Sequence, residues 1–266
     1  MVSLLFYFAS TLLEGPVWNA TLQQLLCVSI EQERVYLINP TTQEVKTFKT
    51  QGQVGFAAFD GNEHIIYAAY KGVYRINIKT GEEQYLFHCI TDPTIRYNDG
   101  KFDPYGNILL GTTGYKCFRE AANGLYCWNG RECKQIISGT SISNGLDWYE
   151  DYMFFIDSPT RRIGRYHYEK FGNATFDRYI VEIDGAGVPD GMCIDSEGNI
   201  YVAIWGGSRV EKYNQQGEKL GEISIPVLNV SSVCIAGDKL YITTAMHDDG
   251  TESELAAGGL FVASKF

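Results

Sequence analysis

One grammar recurs along this chain: a polar turn containing glycine, followed by a short run of β-branched and aromatic residues. Residues 60–77, 103–114, 195–214 and 236–245 all obey it, and most continue through a second turn into another such run. This is a succession of β-hairpins. A further short apolar run precedes each turn and ends on a bulky apolar residue. These anchors are Trp18, Phe59, Phe102, Trp148, Ile194 and Ile235, separated by 41, 43, 46, 46 and 41 residues. A period in the forties with about four strands per unit predicts propeller blades. Six units fill the 266 residues. The runs are too short and too rich in β-branched residues for helical repeats. The expectation is an all-β chain: one six-bladed β-propeller of four-stranded antiparallel blades, a single domain over residues 1–266. A ring must close, so residues 4–8 are expected to pair with residues 258–263 in the last blade.

Composition narrows the function. The net charge is −10, and such a chain repels phosphate backbones, so nucleic acid is excluded as a partner. No stretch reaches 18 consecutive apolar residues, so no membrane span is expected. The apolar residues 1–13 lack a basic leader and run directly into the first blade, so they are read as fold rather than as a signal peptide. The sequons at Asn19, Asn173 and Asn229 are then coincidental. Seven cysteines contain no C-x-x-C pair, and the reading is reduced thiols in a cytoplasmic protein.

The alignment also marks a site. Four residues before the anchors stand Glu14, Gly55, Asn98, Asn144, Asp190 and Ser231. In a propeller this position opens the innermost strand, at the mouth of the central channel. Glu14, Asn98, Asn144 and Asp190 therefore converge on the axis. Each is followed within two residues by a glycine, Gly15, Gly100, Gly145 or Gly191, which permits close backbone approach. Converging carboxylates repel and need neutralising, and Glu, Asp and Asn oxygens suit a hard divalent cation such as Ca²⁺, Mg²⁺ or Mn²⁺. Few protein ligands leave room for water and substrate, the layout of a Lewis-acid site. Arg96, two residues ahead of Asn98, is placed to bind substrate hydroxyls; an ion pair with Asp99 or Glu120 is the competing reading. The histidines His64, His88, His167 and His247 share no register and read as surface or packing residues. The acidic Asp248, Asp249, Glu252 and Glu254 read as a solvated loop.

Four segments, residues 13–18 (LEGPVW), 96–104 (RYNDGKFDP), 143–148 (SNGLDW) and 189–195 (PDGMCID), resemble the signatures of the gluconolactonase, regucalcin (senescence marker protein) and luciferin-regenerating enzyme family. The resemblance implies a six-bladed propeller with one divalent metal, held by Glu14, Asn144 and Asp190. It implies substrate contacts from Arg96 and Asn98, and places the family's substrate-binding Glu nearest Glu120. The implied activity is hydrolysis of sugar-acid lactones such as gluconolactone, with Asp190 as the base for the attacking water. Ca²⁺ is the expected metal, with Zn²⁺, Mg²⁺ or Mn²⁺ as alternatives. The partner is then a small-molecule lactone and the protein a monomer or weak dimer. The rival functions are a non-catalytic calcium-binding propeller and a broad lactone or ester hydrolase on the same metal.

Overall fold

A computed structural model describes residues 1–170, 172–246 and 256–266. His247 and the acidic Asp248, Asp249, Glu252 and Glu254 lie outside the described residues. Twenty-four strands among the described residues form six four-stranded antiparallel sheets around one axis, the expected six-bladed propeller. The chain starts with β1 (Ser3–Tyr7). Blade one follows as β2 (Leu13–Asn19), β3 (Gln24–Ser29), β4 (Arg34–Ile38) and β5 (Val45–Lys49). Blade two holds β6 (Val54–Asp60), β7 (His64–Ala69), β8 (Gly72–Asn77) and β9 (Glu83–Phe87). Blade three holds β10 (Ile95–Phe102), β11 (Ile108–Gly114), β12 (Asn123–Trp128) and β13 (Cys133–Thr140). Blade four holds β14 (Ser143–Tyr149), β15 (Tyr152–Asp157), β16 (Arg162–Glu169) and β17 (Asn173–Glu182). Blade five holds β18 (Val188–Ile194), β19 (Ile200–Trp205), β20 (Arg209–Tyr213) and β21 (Lys219–Ser224). Blade six combines β22 (Asn229–Ala236), β23 (Lys239–Ala245) and β24 (Gly259–Ser264) with β1.

The ring closes as expected. Ser3 pairs with Val262 and Tyr7 with Gly259, so the first strand is the outermost strand of the last blade. The turn glycines of the repeat, Gly61, Gly106, Gly198 and Gly237, all hold positive φ, which a residue with a Cβ resists. In blades three and five the same turn is tied by an aspartate. Asp103 Oδ1 accepts the amides of Tyr105 and Asn107, and Asp195 Oδ1 those of Glu197 and Asn199.

A blade cannot bury both faces alone, so the core lies between blades. Six apolar clusters occupy the six interfaces. Leu26, Val35 and Phe48 of blade one meet Val54, Ile65 and Tyr67 of blade two, for example. Tyr201 and Val210 of blade five meet Val233, Ile242 and Phe261 of blade six.

The thiol reading needs correction. Cys89 and Cys133 form a disulfide with Cα atoms 5.6 Å apart. Cys27, Cys127, Cys193 and Cys234 are free and buried, and Cys117 is free and exposed. No helix of the described residues is long and apolar enough to cross a membrane.

Candidate active site at the channel mouth

Each innermost strand loses its pairing register at the marked position. The irregularities fall between Glu14 and Val17, Val54 and Phe56, Tyr97 and Asp99, Ser143 and Leu146, Pro189 and Met192, and Val230 and Ser232. A bulge frees a residue from the ladder and re-aims its side chain. The bulges take Gly55, Asn98, Asn144, Asp190 and Ser231 out of the ladder, whereas Glu14 stays paired with Val28 and the bulge of blade one falls on Gly15 and Pro16 just after it.

The blades touch where the bulges lie. A Cβ on Gly145 would meet Asp190 O at 2.6 Å, and one on Gly191 would collide with Ser232 Oγ. Gly55 backs onto Tyr97 and Asn98 in the same way. Gly15 differs: its nearest neighbour is 3.9 Å away, but its φ is +52°, so backbone conformation is what requires glycine there. Ser231 Oγ donates to Leu13 O at 2.5 Å, which joins blade six to blade one and occupies that hydroxyl structurally.

A chain of hydrogen bonds orients the amides. Arg96 Nη1 donates to Asn98 Oδ1 and to Tyr97 O, both at 2.9 Å. Asn98 Nδ2 donates to Asn144 Oδ1 and to Ser143 O, both at 3.0 Å. Asn144 Nδ2 donates to Ser158 Oγ at 2.8 Å, and Ser158 Oγ donates to Pro189 O at 2.7 Å. Both amides are thus fixed, with the Asn144 carbonyl oxygen turned toward Asn98. Arg96 makes no ion pair with Asp99 or Glu120 among the described residues.

The carboxylates are strained electrostatically. Asp190 is 5% exposed, and no hydrogen bond from the described residues reaches its carboxylate. Burial, then the charge of Asp99, pushes its proton affinity well up. Glu14 is also pushed well up, by burial first and then by Asp190 and Asp99, against weaker help from the Gly15 amide and Arg96. Asp99 rises to about 6 through burial, offset in part by the Gly100 amide and Lys101. Burial lowers Arg96 to about 10, although Glu14 favours its charge.

Arg96 offsets Glu14 in part and Lys101 offsets Asp99 in part, yet both acids and Asp190 stay raised, a site short of positive charge. The donor set answers the question of a cation. Among the described residues no three His, Cys, Asp or Glu side chains are placed to hold a metal, so a soft thiolate or imidazole site is absent. Two buried carboxylates and an oriented carboxamide oxygen suit a hard divalent ion.

The structure brings Glu14, Asn98, Asn144, Asp190 and Arg96 together. It leaves Glu120 exposed in the loop between β11 and β12, with no bond to the others. Asp99, read from the sequence only as a competing ion-pair partner of Arg96, adds a third acid. One residue escaped the sequence reading altogether. Ser158, in the short 3₁₀ turn Ser158–Thr160, fixes Asn144 from outside the register. Below this layer a cavity of about 470 Å³ follows the axis, lined by Asp99, Lys101, Trp18, Phe59, Cys193 and Cys234 among others. Lys101 Nζ lies 2.7 Å from Asp147 Oδ2 there.

Known proteins agree with this architecture. A family described as the SMP-30/gluconolactonase/LRE-like region matches residues 12–246. A Bacillus subtilis protein, YvrE, assigned as a sugar lactone lactonase, is 32% identical over 264 residues, covering 94% of this chain and 90% of its own. Regucalcin of Xenopus laevis is 28% identical over 265 residues, with 93% and 89% covered. Pentonolactonase XacC of Haloferax volcanii is 29% identical over 268 residues, with 93% and 89% covered. Among solved structures, a luciferin-regenerating enzyme superposes with a TM-score of 0.92 at 25% identity, covering 100% of this chain and 95% of its own.

Proposed function

Because the chain belongs to the SMP-30/gluconolactonase/LRE-like family, we propose that it is a metal-dependent lactonase that opens sugar-acid lactones such as gluconolactone or a pentonolactone. The observation that carries the reading is the buried pair Glu14 and Asp190, beside Asp99, all raised although Arg96 offsets Glu14 and Lys101 offsets Asp99. The names of the Bacillus and Haloferax relatives support the lactone class.

Glu14, Asn144 and Asp190 would hold the divalent cation, Ca²⁺ first, with Zn²⁺, Mg²⁺ or Mn²⁺ able to replace it. When bound, the cation supplies Lewis-acid polarisation of the lactone carbonyl. Arg96 binds and orients the ring hydroxyls through its remaining guanidinium N–H groups, and Asn98 accepts from those hydroxyls through Oδ1, since both Nδ2 hydrogens of Asn98 are given to Asn144 Oδ1 and Ser143 O. Asp190 receives the proton of the attacking water; a carboxylate on the cation is a weak base, so part of its role is to position that water. Glu120 stands outside this set unless its loop moves. A cytoplasmic location and a monomeric or weakly dimeric state belong to the same reading. Five free thiols favour that location and one bridge opposes it.

The test is acid release from a panel of aldonolactones and from δ-valerolactone, with and without chelator, for the wild type and Asp190→Ala. The expected result is chelator-sensitive turnover, faster on the hydroxylated lactones and lost in the variant with its bound metal. A site built to pair hydroxyls rejects analogues that lack them. Stoichiometric metal and full turnover in Asp190→Ala would overturn the assignment. Equal kcat/KM on the bare lactone would point to a broad lactone or ester hydrolase.

A further inference from the structure

Residues 88–94 connect the outermost strand of blade two to the innermost strand of blade three. This segment is a hub on the face that carries the site. At its start, Cys89 is bridged to Cys133, the first residue of β13. The Cys89 amide donates to the phenol oxygen of Tyr97 at 2.9 Å. Tyr97 is fully buried and lies between Arg96 and Asn98, and its carbonyl accepts the Arg96 guanidinium. The other end of the segment holds the loop between β11 and β12. Tyr115 donates its amide to Thr94 O at 2.7 Å, and Arg119 Nη1 reaches Asp92 Oδ2 at 3.2 Å and also Thr94 Oγ1. Tyr70 completes the hub: its hydroxyl donates to Pro93 O at 2.8 Å and its ring stacks on Tyr115 with centroids 4.2 Å apart.

The segment has no strand of its own, so these contacts and the packing of Ile90 in the apolar cluster between blades two and three fix it. We infer that Cys89 and Cys133 are positioning residues whose bridge, through the Cys89 amide and Tyr97, holds Arg96 and Asn98 in the geometry that binds substrate. This rests on the lactonase reading for its kinetic consequence but not for its structural one. A dithiol reductant opens the bridge: two electrons and two protons pass to the cysteine sulfurs, and the reductant becomes a disulfide. Residues 88–94 then lose their covalent tie to β13 and are held to blade three by hydrogen bonds alone. Glu14, Asn144 and Asp190 lie on other blades, and Asn144 keeps its bond to Ser158 even where the one from Asn98 weakens. Substrate affinity should fall while the chemical step persists.

The experiment uses the whole chain, oxidised and reduced under native conditions. A thiol count of five before reduction and seven after identifies the two forms. Lactone KM is expected to rise roughly fivefold on reduction, about the worth of one orienting hydrogen bond, with kcat within about twofold. Reoxidation should restore KM. Hydrogen exchange should quicken in residues 88–98 and 115–122 and stay unchanged in β14 and β18. That arm decides the inference even if no lactone is turned over, a result that would sink the functional reading alone. Equal KM in both forms, or unchanged exchange in residues 88–98, would overturn the inference. If the reduced protein unfolds, Tyr97→Phe decides, since it removes the phenol oxygen and leaves the bridge. A raised KM is expected there, and an unchanged KM overturns the link.

Discussion

Arg96 binds Tyr97 O and Asn98 Oδ1 through one nitrogen, so it orders its neighbour with its other donors unbonded among the described residues. Lysine cannot reproduce that planar fork. Arg96→Lys should raise KM about tenfold or more and leave metal affinity near wild type, a contrast that steady-state kinetics beside a metal titration will read. A collapse of metal affinity at constant KM would instead make Arg96 a support for the ligands. Asp99 allows a second prediction. Its carboxyl titrates near 6 in the metal-free fold, against an ordinary value of 3.8. Between those values the folded state binds more protons than the unfolded one, so stability is full below about pH 3.8 and declines as pH rises to about 6. Asp99→Asn should flatten that decline and stabilise the metal-free protein at pH 7 by on the order of 2 kcal/mol. Urea melts at pH 4 and pH 7 with chelator present will decide; a variant as pH-sensitive as the wild type refutes it. At this scale the legible residues were those the repeat numbers. Glu14, Asn98, Asn144 and Asp190 share a register, and a register is a sequence property. Asp99 and Ser158 act through a bulge and a 3₁₀ turn, which no spacing announces.

The six bulges are the elements that make a site out of a repeat. At Gly55, Gly145 and Gly191 they leave no room for a side chain where neighbouring inner strands meet. Gly145→Ala would drive a Cβ against Asp190 O at 2.6 Å and Met192 N at 2.7 Å, both backbone atoms. The neighbouring strand must shift, at a cost of roughly 1–3 kcal/mol, and Asp190 shifts with it. Thermal melts should therefore fall by several degrees together with metal affinity. A destabilised variant with wild-type metal affinity would show that the strand absorbs the strain without moving Asp190. The cysteines show how far spacing alone reaches. Cys89 and Cys133 are 44 residues apart, about one blade, and they are bonded. Cys193 and Cys234 are 41 apart, also about one blade, and both are free. The repeat period places such pairs on adjacent blades. Only the path of residues 88–94 across the blade interface brings one pair within bonding reach.

At the scale of the ring, the whole architecture followed from the anchor period, because blades of equal length must stack and the stack must close. The closure itself was legible: an apolar strand at the start of the chain had no partner nearby in sequence. Its contribution can be isolated. β1 covers the edge of β24 through pairs running from Ser3–Val262 to Tyr7–Gly259. The chain then crosses to blade one, where the Phe8 ring stacks on Tyr36 with centroids 4.3 Å apart. Removing residues 1–8 would strip both the edge strand and that aromatic tie. The exposed edge of β24 would present a row of unpaired backbone groups, a template for another chain. The truncated protein should therefore melt at least about 5 °C lower and associate as its concentration rises. A synthetic peptide of residues 1–8 should recover part of the loss by adding back as the fourth strand. Calorimetry and sedimentation with and without the peptide measure both effects. An unchanged melting temperature and concentration-independent mass would show that blades one and six hold the ring closed without the first strand.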